Sequence, residues 1–205
     1  MIESRELVSY WDNAWNLKDS IEVNPFAEAA LKIVKSENKK TLLDLGCGNG
    51  IDSLYFHQMG LSVTAIDLAQ KTIDSLKHKH SEIAWYCQDI KDPIHYIPKQ
   101  DAVYAHLSLH YFEDDVTAKI FRNIDEILNE DGLLFVKCKS TKDPLFGMGN
   151  HLGGNRYHHG HTRNFFTVGY MMQNLKRFSI ISIRETSHRY HGEESAFIEA
   201  IARKK

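Results

Sequence analysis

The stretch Leu42-Leu43-Asp44-Leu45-Gly46-Cys47-Gly48-Asn49-Gly50 sets an acid and three alternating glycines at the end of a short apolar run. Glycine tolerates positive φ and lets a ligand come close to the backbone. The turn from a strand into a helix is also where open α/β sheets bind ligands. Spacing then separates the possible ligands. Dinucleotide sites carry G-x-G-x-x-G, with the pyrophosphate resting on the helix N-terminus. Gly46 and Gly48 fit that pattern, but the third position is Ile51, and the glycines run G-x-G-x-G instead. A carboxylate at Asp44 repels a pyrophosphate and attracts a ligand bearing an ammonium group and a sulfonium. The chemistry of the turn therefore favours S-adenosylmethionine over NAD.

A second acid, Asp67, follows the apolar run Val63-Thr64-Ala65-Ile66, about twenty residues beyond the glycines, where a carboxylate accepts hydrogen bonds from ribose hydroxyls. Its alternative role is to cap a helix starting near Gln70. Leu68, beside it, is grouped with the cofactor site.

Asp44-Leu45-Gly46-Cys47-Gly48-Asn49-Gly50 resembles the first motif of class I S-adenosylmethionine-dependent methyltransferases. That resemblance covers roughly residues 40 to 203. It implies a doubly wound, Rossmann-like, seven-stranded and mostly parallel sheet, closed by an antiparallel C-terminal hairpin. It implies that Asp44, Gly46, Cys47, Gly48, Asn49 and Gly50 seat the cofactor and that Asp89 and Ile90 contact the adenine. His106, at the end of the run Asp101–His106, is expected against the methionine part. His110 and Tyr111 then face the acceptor, although His110 has the alternative of merely capping its loop. Methyltransferases acting on nucleic-acid amino groups often carry Asn/Asp-Pro-Pro-aromatic at this point. This chain has Leu107-Ser108-Leu109-His110-Tyr111-Phe112, which is similar to the small-molecule branch. An amine or hydroxyl acceptor needs a base, for which His110, helped by Tyr111, is the candidate.

Three further groups need explanation. Trp11 and Trp15 are four residues apart and share a helical face. They are either simple packing or, with Tyr10, part of an N-terminal lid whose aromatic faces suit a sulfonium. A similar lid is found in the thiopurine and tellurite-resistance methyltransferases. His151, His158, His159 and His161 crowd the segment 140–164, and His188 and His191 lie near the C-terminus. Imidazoles bind zinc or nickel. However, no cysteine or acid joins them at zinc spacing, and side chains of neighbouring residues diverge in a strand. No metal is expected. The segment is either a polar surface loop or a lid that offers Arg156, Tyr157, Arg163, Tyr190 and its histidines to the acceptor.

The elements that must position these groups alternate. Strand-like runs fall at 41–45, 62–66, 83–87, 101–106 and 132–138, and helix-like runs at 51–59, 70–79 and 114–129, which reads as a doubly wound sheet. A short helix near 167–175 and two strands near 178–186 and 195–202 follow, with a polar link at 188–194. Before the glycines, Asn24 and Pro25 open a helix. The 205 residues suit a single domain, with residues 1–38 as the lid and 140–164 as an acceptor-side loop. A formal net charge of −2 gives no basic excess for nucleic acid. No apolar run reaches membrane-spanning length, no signal-peptide profile opens the chain, and three scattered cysteines make no disulfide framework. These features point to a cytoplasmic monomer or homodimer that methylates a small-molecule acceptor. The alternatives are a non-catalytic cofactor-binding module and a peptide or protein methyltransferase.

Overall fold

The structure is a computed structural model that describes residues 10–12, 23–190 and 192–205. Its centre is a seven-stranded sheet. The strands are β1 (Thr41–Leu45), β2 (Ser62–Asp67), β3 (Ala84–Cys87), β4 (Gln100–His106) and β5 (Leu128–Lys139), joined by β9 (Phe178–Tyr190) and β10 (Glu193–Lys204). Their spatial order is β3-β2-β1-β4-β5-β10-β9. All neighbours are parallel except β10, which runs antiparallel to both β5 and β9. The chain order reverses between β1 and β4. Ligands bind at such a switch point, beyond the carboxyl ends of the strands.

Helices cover both faces. On one side lie α1 (Pro25–Ser36), α2 (Ile51–Gln58) and α3 (Gln70–Lys79); on the other, α4 (Asp114–Ile127) and α5 (Val168–Asn174). Alternation along β1 explains the division. Leu42 packs with Phe26, Leu54 and Ile73, and Leu43 packs with Ile120, Ile124 and Met171. Asn24 starts α1 by accepting from the Ala27 N–H at 2.9 Å, and Pro25 occupies the first turn, where no donor is needed. Among the described residues no helix is long and apolar enough to cross a membrane.

Three segments differ from the sequence expectation. Leu128 and Asn129, expected to end the helix 114–129, instead open β5, where Leu128 pairs with Gln100, so that strand begins four residues before the expected run 132–138. Residues 140–164, expected to be a loop, contain a three-stranded antiparallel sheet of β6 (Asn150–His151), β7 (Arg156–His159) and β8 (His161–Asn164). Most of its side chains are exposed or half-buried, so it carries no apolar period to read. The closing hairpin is also longer than expected. Its polar residues belong to the strands: Arg184 of β9 pairs with Glu199 of β10, and His188, opposite Ser195, reaches Lys137 of β5. Only residues 191 and 192 link β9 to β10, with Gly192 at φ 86°.

Candidate functional site

The glycine turn lies at the carboxyl end of β1. Gly46, Gly48 and Gly50 adopt φ of 83°, 53° and 77°, the left-handed region that a Cβ disfavours. A Cβ on Gly46 would stand 2.3 Å from that of Ser108, and one on Gly50 would stand 2.8 Å from the Trp85 ring. The backbone N–H groups of Gly46 and Cys47 both donate to the Ile66 carbonyl, at 2.8 and 2.9 Å. These contacts press the turn against the ends of β2 and β4.

Asp67 holds the turn from the side. Its two oxygens accept from the Gly48 N–H at 2.8 Å and the Ala69 N–H at 2.9 Å. Burial raises its carboxyl above the usual range, against the pull of those bonds. A carboxylate has about four lone-pair sites, so two bonds leave acceptor capacity for hydroxyls. Leu68 is half-buried beside it. Asp44 lies under the turn, 2% exposed, and accepts from Ser53 Oγ at 2.6 Å, which ties β1 to α2. Burial, and then Asp52, push its carboxyl well up. The Cys47 thiol is also raised well up by burial, which suppresses the reactive thiolate. Asn49 makes a 3.5 Å contact from Oδ1 to the Ile51 N–H. Asp89 pairs with Lys91 at 2.7 Å just past β3, and Ile90 is buried in the core beside it.

His106 ends β4. It stacks near Phe26 and Tyr104 with centroids 6.3 and 6.1 Å away, and its Nδ1 is 3.6 Å from Asp52. Asp52 accepts from Asn24 at 2.7 Å and from the Tyr104 hydroxyl at 3.0 Å, and burial lifts its carboxyl to about 6. The sequence marks Asn24 only as a helix cap, and Asp52 resembles an ordinary first-turn acid, so neither signals this network.

The turn that follows β4 is aromatic. Leu109–Tyr111 form a short 3-10 turn immediately after Ser108. His110 is 1% exposed, and neither of its ring nitrogens has a hydrogen-bond partner among the described residues. Such a buried, unpaired group costs about 1–3 kcal/mol. Burial, and then Arg163, hold His110 well below the usual histidine range, so it is neutral and weakly basic. Burial likewise pushes the Tyr111 phenol up and lowers His161 to about 4. Tyr10 and Trp11 meet this turn: Trp11 lies 5.1 Å from Tyr111, and Tyr10 lies 4.9 Å from His161. Asp12 anchors the segment by accepting from the Lys71 N–H at 2.9 Å, at the start of α3. Trp15, half of the expected lid 1–38 (residues 1–9 and 13–22), and His191 lie outside the described residues.

Of the histidine segment, β8 turns His161 and Arg163 toward Tyr111, while His151, His158 and His159 are exposed on the small sheet. Among the described residues no three His, Cys, Asp or Glu side chains gather to hold a metal. Two buried lysines also escaped notice. Lys137 pairs with Glu199 at 3.2 Å, and Lys139 with Asp143 at 2.7 Å; both ammonium groups lie over the Phe197 ring. The signal was the run Phe135-Val136-Lys137-Cys138-Lys139, where two charges alternate inside an apolar strand.

Comparison with known proteins agrees with this geometry. Residues 42–132 match a family model described as a methyltransferase domain. Ubiquinone biosynthesis O-methyltransferase from Hydrogenovibrio crunogenus is 31% identical over 134 residues, which is 65% of this chain and 52% of that protein. This chain thus spans about half the length of that relative. A crystal structure of an S-adenosylmethionine-dependent methyltransferase from Clostridium acetobutylicum superposes with a TM-score of 0.72 at 15% identity, covering 98% of each chain. The 1,6-didemethyltoxoflavin-N1-methyltransferase of Burkholderia thailandensis, solved with 1,6-didemethyltoxoflavin and S-adenosylhomocysteine bound, gives 0.69 at 18% identity, covering 100% of this chain and 88% of that one. The chain has the class I S-adenosylmethionine-dependent methyltransferase fold.

Proposed function

We propose that this protein transfers a methyl group from S-adenosylmethionine to a small-molecule acceptor. The observation that supports this best is the left-handed glycine turn buttressed by Asp67, inside the residues that match the methyltransferase domain. When bound, S-adenosylmethionine supplies a methyl group on a positively charged sulfur. The chain's residues then have separate tasks. Gly46, Gly48 and Gly50 keep side chains out of the cradle. Asp67 accepts from the ribose hydroxyls with its remaining lone pairs, with Leu68 alongside, and Asp89 and Ile90 flank the adenine. Asp44, held by Ser53, braces the turn from beneath, Cys47 and Asn49 line it, and His106 packs beside the methionine part. Tyr10 and Trp11 cover the site and exclude water, which strips the nucleophile of its hydration. His110 and Tyr111 orient the acceptor. Alignment of this kind is the main requirement for in-line displacement from an activated donor.

The net charge of −2 supports a small acceptor over nucleic acid. All the named groups come from one chain, so a monomer or a homodimer with independent sites suffices. The relatives differ in the acceptors their names specify, ubiquinone biosynthesis by O-methylation and a toxoflavin N1, so they do not carry an acceptor to this chain. The test is calorimetric titration with S-adenosylmethionine, S-adenosylhomocysteine and NAD in parallel. Binding of the first two without NAD is expected; binding of NAD alone would overturn the reading. Cofactor binding without S-adenosylhomocysteine release, across a broad acceptor panel, would instead favour a non-catalytic module.

A further inference from the structure

The side chains above the glycine turn include polar atoms that no described residue satisfies. Among the described residues, both His110 ring nitrogens and Nε2 of His161 are buried without a hydrogen-bond partner. The two imidazoles flank one ring: Tyr111 lies 4.4 Å from His110 and 5.2 Å from His161, centroid to centroid. Tyr10 and Trp11 close the same space, 4.9 and 5.6 Å from His161. Arg163 follows on β8 and donates to the His159 carbonyl at 3.2 Å, and among the described residues no carboxylate pairs with it. The cluster adjoins the glycine turn. Ser108 packs on Gly46 and donates to the Leu45 carbonyl, so the turn carrying His110 and Tyr111 starts directly above the cofactor cradle.

We infer that His110, His161, Arg163 and Tyr111, with Tyr10 and Trp11, form an acceptor subsite for a flat ring bearing an acidic hydroxyl, a phenol or enol. This inference rests on the methyl-transfer reading and narrows it. The flat walls suit a ring through stacking and edge contacts. Each neutral imidazole offers one N–H and one lone pair, and a ring oxygen accepts from such donors. An ammonium acceptor has no lone pair for those N–H groups and meets the positive charge of Arg163. That same charge favours the ionised hydroxyl, which loses its proton to solvent before transfer. The phenolate oxygen then forms the new O–CH3 bond as the donor's C–S bond breaks, giving a methyl ether and neutral S-adenosylhomocysteine. His110 and His161 act as positioning donors, so neither has to store the proton.

The experiment compares binding of 4-nitrophenol and benzylamine to the protein saturated with S-adenosylhomocysteine. It uses wild type, Arg163→Gln and His161→Ala, and the affinity for S-adenosylhomocysteine itself is measured for each. Wild type should favour 4-nitrophenol by about tenfold or more, the worth of one charge-assisted hydrogen bond. Arg163→Gln should remove most of that preference, and His161→Ala should weaken 4-nitrophenol alone; both should leave S-adenosylhomocysteine affinity unchanged, which also reports that they fold. Equal or tighter binding of benzylamine, no binding of either ring, or an unchanged preference in Arg163→Gln overturns the inference while leaving methyl transfer standing. Failure of wild type to bind S-adenosylhomocysteine overturns the methyl-transfer reading, and the subsite falls with it.

Discussion

Replacing Asp67 with alanine probes the site at its most constrained point. The side chain accepts two buried backbone N–H bonds, at 2.8 Å from Gly48 and 2.9 Å from Ala69. Hydrogen bonds to a charged acceptor contribute about 1.5–3 kcal/mol each. Against this stands the burial that raises the carboxyl, since removing the group also removes its desolvation cost. The net loss of stability should be about 1–4 kcal/mol, or roughly 2–15 °C in Tm for a chain of this size. Cofactor affinity should fall further. In the proposed site two ribose hydroxyls would lose a charged acceptor, which corresponds to a drop of about 10²- to 10⁴-fold. The turn also loses the group that orients the Gly48 N–H. Asp67→Asn offers no rescue, because its amide nitrogen must face one of two N–H donors. Thermal unfolding gives the first quantity, and titration with S-adenosylmethionine at a temperature where the variant is folded gives the second. An affinity within about threefold of wild type would refute the ribose assignment, since no ordinary rearrangement replaces a charged acceptor held by two backbone bonds.

Gly46→Ala should cost about 2–5 kcal/mol, because it adds left-handed strain to a contact of 2.3 Å with Ser108; a Ser108→Gly partner should recover the steric part in thermal unfolding, leaving the strain. Asp52, lifted to about 6 by burial, binds more protons in the folded than in the unfolded chain between about pH 4 and pH 6. Stability from this group therefore falls as pH rises through that window, by up to about 3 kcal/mol. Denaturant unfolding of Asp52→Asn against wild type should show a difference that grows from pH 4 to pH 6 and is flat above pH 7; a constant difference would refute it.

Much of the framework was legible because its signals are local. The apolar run 41–45 and the glycines behind it specify a strand and a left-handed turn within ten residues. The 3.6-residue period of 114–127 specifies α4. Asp67 was found by distance along the chain, because one βα unit has a nearly constant length. The extent of the hairpin was less legible. In β9, Arg184 stands opposite Glu199 of β10, and His188, opposite Ser195, reaches over to Lys137 of β5, so polar residues belong to a strand that shows no apolar run there. The small sheet β6–β8 gave no period at all, since its faces are largely open to solvent.

By itself, then, the sequence determined the alternating α/β order, the left-handed glycine turn and the acids beside it, each specified by signals that act along one stretch of chain. Only tertiary structure brought His161 of β8 against Tyr111, set Tyr10 and Trp11 beside it, and joined Asn24, Asp52 and His106 into one network. The physical reason is separation. Periodicity and turn chemistry act over a few residues, whereas burial, pKa shifts and ring contacts arise between groups as far apart as Trp11 and His161, and no short-range pattern encodes which of them will meet.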